Sequence, residues 1–463
     1  MTGVSLIAPR LSRSKAGKAF GHRNYRLFFV GQAVSLVGTW MQQVAQGWLV
    51  LTLSGDPFWL GVVASAQFLP VMVFGLFAGV LADVLPKRQT LMAAQAVMMV
   101  LAVILTIVTA TGIVEIWMII VLAVLLGCAN AIDMPVRQAF AIEMVGPRDI
   151  GNAVAINSAM FNGARVVGPA MAGLTIGAFG MAPAFAINAL SFLAVIIGLS
   201  AMRDDELHRP RLVPRPRSVG AVMGNLREGL AFVRHTPLVL LAVTTVGLVA
   251  TFGMNFQVVI PPLAQDVLGS DASGYGFLMT ASGLGALTAA VALVVGGKPR
   301  PIRIAVGAIA LGIASIALAS STWFPLSLVL MAPIGAGGIV MAATANATIQ
   351  LAVPDGLRGR VMSVYTTVFS ASMPVGGLLM GAIASTLDIL EAVAIGGVLS
   401  LLTGVVAFVW YRRIRSRERE LAAAAAAATA DDAMAVGVLQ STPPNTSAAF
   451  NPPNPNEVLS TRR

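Results

Sequence analysis

Two ionised side chains stand inside stretches that otherwise carry almost no charge: Arg165 within 150–178 and Asp133 within 116–138. A guanidinium in apolar surroundings attracts an anion, and a carboxylate there either carries a proton or pairs with a cation. Around them lies a set of amides able to hydrogen-bond a ligand: Gln42, Gln43, Gln46, Gln67, Asn157, Asn162, Asn255 and Gln257. Other chemistries are absent from the sequence. Cys128 is the single cysteine, so there is neither a disulfide nor a Cys-x-x-Cys metal site. His22, His208 and His235 all fall in polar, basic stretches, and no G-x-x-x-x-G-K-[ST] loop exists to hold ATP. No catalytic constellation, cofactor site or metal site is expected.

The elements that must position these groups follow from composition. Of 463 residues, 57% are hydrophobic and only 11% charged, against about 25% charged in ordinary soluble domains. Mean hydropathy is +0.83. Such a chain cannot coat itself for water, so its solvent is lipid. About 20 apolar residues cross the roughly 30 Å hydrocarbon layer as a helix. Twelve such runs are predicted, at 25–53, 57–82, 89–111, 116–138, 150–178, 181–202, 237–263, 273–296, 302–320, 323–351, 360–386 and 389–411.

Charge then orients them. Of 30 lysines and arginines, 29 lie at the N-terminus or on connections of one parity, while Asp56, Glu115, Asp266, Asp271, Asp388 and Glu391 occupy the other parity. Arg165 is the thirtieth. Cationic loops remain cytoplasmic, so the expectation is a multi-pass protein of the inner (plasma) membrane with both termini inside. Orientation accounts for the net charge of +10 without a nucleic-acid partner.

The long connection 203–236 divides the spans six and six. Within it Val219, Val222, Leu226, Leu230 and Val233 recur at helical spacing, which predicts an amphipathic helix on the cytoplasmic surface. The expected organisation is an N-terminal segment 1–23, a bundle 24–202, the linker 203–236, a bundle 237–412 and a disordered cytoplasmic tail 413–463 that opens with a helical stub over the run of seven alanines after Leu421. The halves are also weakly alike. A shift of 208 places Gly127 on Gly335, Gly168 on Gly376 and Gly173 on Gly381. Two repeated six-span halves describe a transporter with its site between them near the midplane.

Depth separates the two buried charges. Asp133 lies 17 residues after Ile116, about 26 Å from the outer edge and close to the cytoplasmic surface. There it can reach Lys87, Arg88 or Arg137 in a gating ion pair. Arg165 lies 15 residues after Ile150, roughly 20 Å up and near mid-membrane, with no carboxylate at its depth. Its partners are then carbonyls, amides such as Asn157, Asn162 or Asn188, water, or an anionic group on a substrate. A structural arginine bonded between helices is the competing reading.

Two motifs carry a resemblance. Gly79-Val-Leu-Ala-Asp83-Val-Leu-Pro-Lys87-Arg88 resembles the signature G-x-x-x-D-[RK]-x-G-[RK]-[RK] of the major facilitator superfamily, departing from it at Val84 and Pro86. Asp83 would accept hydrogen bonds from a helix N-terminus of the opposite half and latch one access state. Gly163-Ala-Arg165-Val-Val-Gly168-Pro169-Ala-Met-Ala-Gly173 resembles the G-P-rich signature of drug exporters in that superfamily, with its last glycines spaced differently. Gly163, Gly168, Pro169 and Gly173 are expected to serve close helix packing. With Asp133-Met-Pro135-Val-Arg137 and Arg227-Glu228-Gly229-Leu230, these stretches resemble the branch of enterobactin (siderophore) exporters and macrolide or multidrug efflux proteins, over about 20–412.

The resemblance implies an all-α major facilitator fold with twelve transmembrane helices in two six-helix bundles. It also implies a monomeric secondary transporter, not an enzyme, that exports an amphipathic small molecule by alternating access and draws on the proton gradient. Import of a nutrient, and a non-transporting membrane scaffold or lipid-handling protein, remain the alternative functions.

Overall fold

The structure is a computed structural model. It describes residues 15–208, 219–297 and 299–441, of which 15, 16, 76–84, 219, 221, 222 and 427–441 are described by backbone alone. Those residues contain helices and no strand. Numbered along the chain, the first half holds α1 (Arg23–Ser54), α2 (Pro57–Val84), α3 (Lys87–Ala110), α4 (116–145), α5 (147–179) and α6 (Met181–Ser200). The connection carries α7 (Val219–His235). The second half holds α8 (Pro237–Gly253), α9 (Phe256–Pro262), α10 (Ala272–Val295), α11 (Ile302–Ala319), α12 (Phe324–Ala352), α13 (Asp355–Thr386) and α14 (Ile389–Ser441).

Ten helical stretches among the described residues are long and apolar enough to cross a bilayer. One of them, Ile116–Phe179, contains both α4 and α5. With the 32-residue α1, whose glutamines and arginines dilute its hydropathy, the spans number twelve. Helices are forced here because lipid offers the backbone no hydrogen-bond partner.

The reversal between α4 and α5 is made by Gly146, at φ 72° and ψ 170°, directly before Pro147. Only glycine adopts that conformation without a cost of about 1–3 kcal/mol. A Cβ on it would also stand 3.2 Å from the His208 ring. Gly146→Ala is therefore expected to lower the thermal unfolding midpoint of the detergent-solubilised protein, and an unchanged midpoint would contradict this account of the turn.

One difference from the sequence expectation has a physical cause. The seventh span is broken between Gly253 and Phe256 into α8 and α9. Asn255 Nδ2 donates to the Thr251 carbonyl at 2.6 Å, capping a backbone group that the break frees. The last helix runs through the alanine run to Ser441, where alanines and local pairs such as Arg415–Glu418 (3.2 Å) favour helix. Residues 442–463, and 209–218 of the linker, lie outside the described residues. Amphipathic α7 packs on α13, with Val233 buried, Glu228 paired to Arg360, and Leu230 and Met223 exposed.

The six-helix halves meet along two seams, α2 on α13 and α5 on α10. At the first, a Cβ on Gly61 would lie 2.2 Å from the Gly377 carbonyl oxygen, and Ser65 Oγ donates to the Pro374 carbonyl at 2.7 Å. At the second, Ser273 Oγ donates to the Gly173 carbonyl at 3.0 Å, and Gly276 faces the Pro169 carbonyl. The glycines matched by the 208-residue shift take equivalent places. Gly168 packs on α1 and Gly376 on α8; Gly173 meets α10 and Gly381 meets α2; Gly127 meets α2 and Gly335 meets α10. Among the described residues, every hydrogen bond and close backbone approach between the halves lies from the middle of the spans toward the acidic end. Toward the end that carries Lys87, Arg88 and Arg358 no such contact between the halves is found among the described residues.

Candidate functional site

Arg165 sits where the α5–α10 seam gives way to that opening. It is 18 residues after Pro147 and 14 before Phe179, about 27 Å and 21 Å from the two ends of α5. Its carbonyl lies 2.7 Å from where a Cβ of Gly283 would stand, the innermost close approach of that seam. Its guanidinium carbon lies 5.9 Å from the centroid of Trp40 on α1, within cation–π range. Phe161, about half exposed, abuts Trp40 edge-on at 5.8 Å. Among the described residues Arg165 has no carboxylate partner and donates no hydrogen bond.

The amides expected to serve Arg165 are engaged elsewhere. Asn157 accepts from the Tyr25 hydroxyl at 3.2 Å. Asn162 donates to the Ser158 carbonyl one turn back, at 2.8 Å. Asn188 donates to Gln42 Oε1 at 2.6 Å, so Gln42 is sealed between α1 and α6 and does not face a cavity. Asn255 donates to the carbonyls of the broken helix and also lines a small cavity of the second half with Phe252, Phe256 and Met380. A polar group that meets a partner within its own half costs less in lipid than one left open, and each of these amides makes such a bond.

Gln43, Gln46, Gln67 and Gln257 do converge. They line a small cavity between α1, α2 and α9, together with Gly47, Leu60 and Val63. Gln257 Nε2 donates to Gln43 Oε1 at 3.1 Å, across the two halves. The cavity lies one turn beyond Trp40 toward the acidic end. Above it the Tyr275 ring stacks on Trp48 at 6.3 Å and its hydroxyl faces Gly47. Residues of α1, α2, α5 and α9 thus give the opening a polar roof with one cationic group at its rim.

The basic end is held by ion pairs within the first half. Asp133 is fully buried; it pairs with Arg137 one turn along the same helix and accepts from Gln95 Nε2 at 3.0 Å. The expected contact of Asp133 with Lys87 or Arg88 is not made. Lys87 pairs with Glu143 at 2.7 Å, and Arg88 pairs with Asp204 at 2.5 Å while donating to the carbonyls of Leu199 and Ser200. Being on one helix, the Asp133–Arg137 pair bridges nothing between the halves. Gly79 and Asp83 are described by backbone alone, so the latch expected of Asp83 lies outside what is described. Of the small-residue motif, Gly168, Pro169 and Gly173 touch neighbouring helices, but a Cβ on Gly163 would meet open space.

Sequence reading passed over Trp40, Ser65, Ser273 and Tyr275. A single tryptophan or serine on an apolar helix has no spacing signal. Its importance lies in what faces it from a residue 100 or more positions away.

The family described as transmembrane secretion effector matches residues 16–439. The chain therefore belongs to this family of the major facilitator superfamily, and it is a membrane transporter, not an enzyme. It is 30% identical to the multidrug efflux pump Tap of Mycolicibacterium fortuitum, over 80% of this chain and 91% of that protein. It is 22% identical to the staphyloferrin A transporter of Staphylococcus aureus, over 84% and 97% of the two chains. Macrolide efflux protein A of Streptococcus pyogenes is also 22% identical, over 83% and 96%. Among solved structures the fold is similar to a bacterial homolog of the human lysosomal transporter Spinster in its inward-facing conformation, with TM-score 0.64, 13% identity, and 84% and 96% coverage. It is also similar to the peptide transporter POT, with TM-score 0.68, 13% identity, and 84% and 94% coverage.

Proposed function

We propose that this protein exports an amphipathic small molecule across the plasma membrane by alternating access, acting as a monomer with both termini cytoplasmic. The orientation rests on the charge alternation of the connections, since cationic loops stay inside. In that frame the acidic end faces out, and the two closed seams make this the inward-facing state. The observation that carries the reading is the pairing of seams closed outside with an opening, roofed by Arg165 and the glutamines, on the side from which an exported molecule enters. The named roles of efflux relatives favour export over import of a nutrient.

Proton antiport needs a carboxylate that titrates facing the pathway. Asp133 and Glu143, the inner-side candidates with described side chains, are both tied to cations within the first half. The proposal therefore rests on transport itself and leaves the proton out. The test is accumulation of a labelled macrolide in cells expressing the protein. Export predicts several-fold less label than in vector controls. Accumulation above the control level would replace export with import.

A further inference from the structure

We infer that the cavity between α1, α2 and α9 receives a neutral hydrogen-bonding group of the substrate, one that carries an acceptor and a donor side by side. That group enters by displacing the Gln43–Gln257 bond between the halves. This rests on the export reading above and adds a substrate class and a step in the transport cycle.

Helical spacing builds the site. Gln43, Gln46 and Val50 stand at i, i+3 and i+7 on α1, and Leu60, Val63 and Gln67 repeat that spacing on α2. One face of each helix therefore meets the cavity, and Gln257 closes it from α9 of the other half. Gln46 is only 7% exposed, yet it makes no hydrogen bond among the described residues, and neither does Gln67. The Tyr275 hydroxyl just beyond is fully buried and also without a partner, 3.3 Å from where a Cβ of Gly47 would stand. Buried polar groups are normally satisfied. Two unpartnered ones beside a single cavity call for a ligand that completes them.

The chemistry of that ligand follows from the amide. Each glutamine offers one acceptor oxygen and two N–H donors, so Gln46 and Gln67 match a group that accepts and donates at once: a ketol, a hydroxylated lactone or a secondary amide. Among the described residues no ionised side chain lines the cavity. An ammonium or carboxylate stripped of water there would go uncompensated, whereas a neutral group would not. The cavity is small, so it takes that group alone while the apolar body stays in the opening. Gln257 Nε2 donates to Gln43 Oε1 at 3.1 Å. A substrate carbonyl can accept from Gln257 while its hydroxyl donates to Gln43, which trades bonds of the same kind. The exchange removes a direct tie between the halves and lets them part at the acidic end.

The test uses two neutral steroids of one shape: deoxycorticosterone, whose side chain ends in a ketol, and progesterone, which lacks only that hydroxyl. Equilibrium dialysis against the full-length, detergent-solubilised protein should show the ketol bound about five-fold more tightly, the worth of roughly one hydrogen bond. Gln46→Leu combined with Gln67→Leu should erase that preference by weakening the ketol. Progesterone should stay within about two-fold, which shows the fold intact. In vesicles, Ser65→Cys in the Cys128→Ser background should react faster with an external, membrane-impermeant thiol reagent when deoxycorticosterone is present, and not with progesterone. Adding Gln43→Leu should speed that reaction with no steroid at all. Equal affinity for the two steroids, no binding of the ketol, a preference that survives the double replacement, or labelling indifferent to the ketol would each overturn the inference. Macrolide export that continues through any of those results leaves the export reading standing. Absence of macrolide export with the ketol preference intact removes that reading alone, so the two fail separately.

Discussion

Gly177→Cys together with Ser273→Cys, in a chain whose native thiol is removed by Cys128→Ser, is expected to form a disulfide that stops transport until it is reduced. A Cβ built on Gly177 lies 3.9 Å from Ser273 Cβ, inside the 3.5–4.5 Å range that disulfides require. The positions are on α5 and α10, in opposite halves, at the end of the seam farthest from the opening. A covalent bond there holds the seam shut, and alternating access demands that it part. Transport should fall to below a tenth on oxidation and return with dithiothreitol, while each single replacement transports normally. Losing the Ser273–Gly173 hydrogen bond costs only about 1 kcal/mol, so the cross-link and not the replacements accounts for the arrest. Complete cross-linking with unchanged transport would show that this seam never opens.

The second large effect is the converse, a seam that cannot close. Gly61→Leu would set a Cβ 2.2 Å from the Gly377 carbonyl oxygen and 2.9 Å from its carbon. These are backbone atoms that cannot swing aside, so α2 and α13 must separate to admit the side chain. Overpacking of this kind costs about 1–3 kcal/mol or more. The state that carries the contact bears that cost, and the state in which the seam is parted does not. The population should shift away from the conformation described above by about five- to more than a hundred-fold. Ser65, whose hydroxyl is now buried against the Pro374 carbonyl, reports on it. Ser65→Cys in the Cys128→Ser background should be labelled from outside by a membrane-impermeant thiol reagent far faster when Gly61→Leu is added, and substrate turnover should drop. Unchanged labelling would mean that the seam accommodates a side chain and that its glycines are not what lets it close.

Both experiments act on positions that the sequence marked only in part. The internal repeat singled out Gly173 and Gly381, and in the fold these sit at equivalent places in the two seams. Gly61 and Gly177 carry no such mark, because a small residue in a membrane helix is common and its meaning depends on the backbone opposite. Similarly, Arg165 was conspicuous as the one cation outside the connections. That it rests on Trp40, and that the nearby amides turn away toward Tyr25, Ser158 and Gln42, could not be read in advance. The Asp133–Arg137 pair was closer to legible, since four residues along a helix bring the two side chains together.

The twelve spans, their charge alternation and the two-fold repetition are legible along the chain. These depend on how many apolar residues cross a layer of fixed thickness and on where cations are left, quantities summed along the chain. Where the halves touch, which glutamines share a cavity and which polar side chains are spent inside their own half emerge only when the helices pack. Those outcomes are set by pairs such as Gln43 with Gln257 and Ser65 with Pro374, separated by more than 200 residues. Lipid constrains each helix to be apolar but does not specify its partners. That choice falls to backbone approach and hydrogen bonding between helices, which a pattern along one helix does not encode.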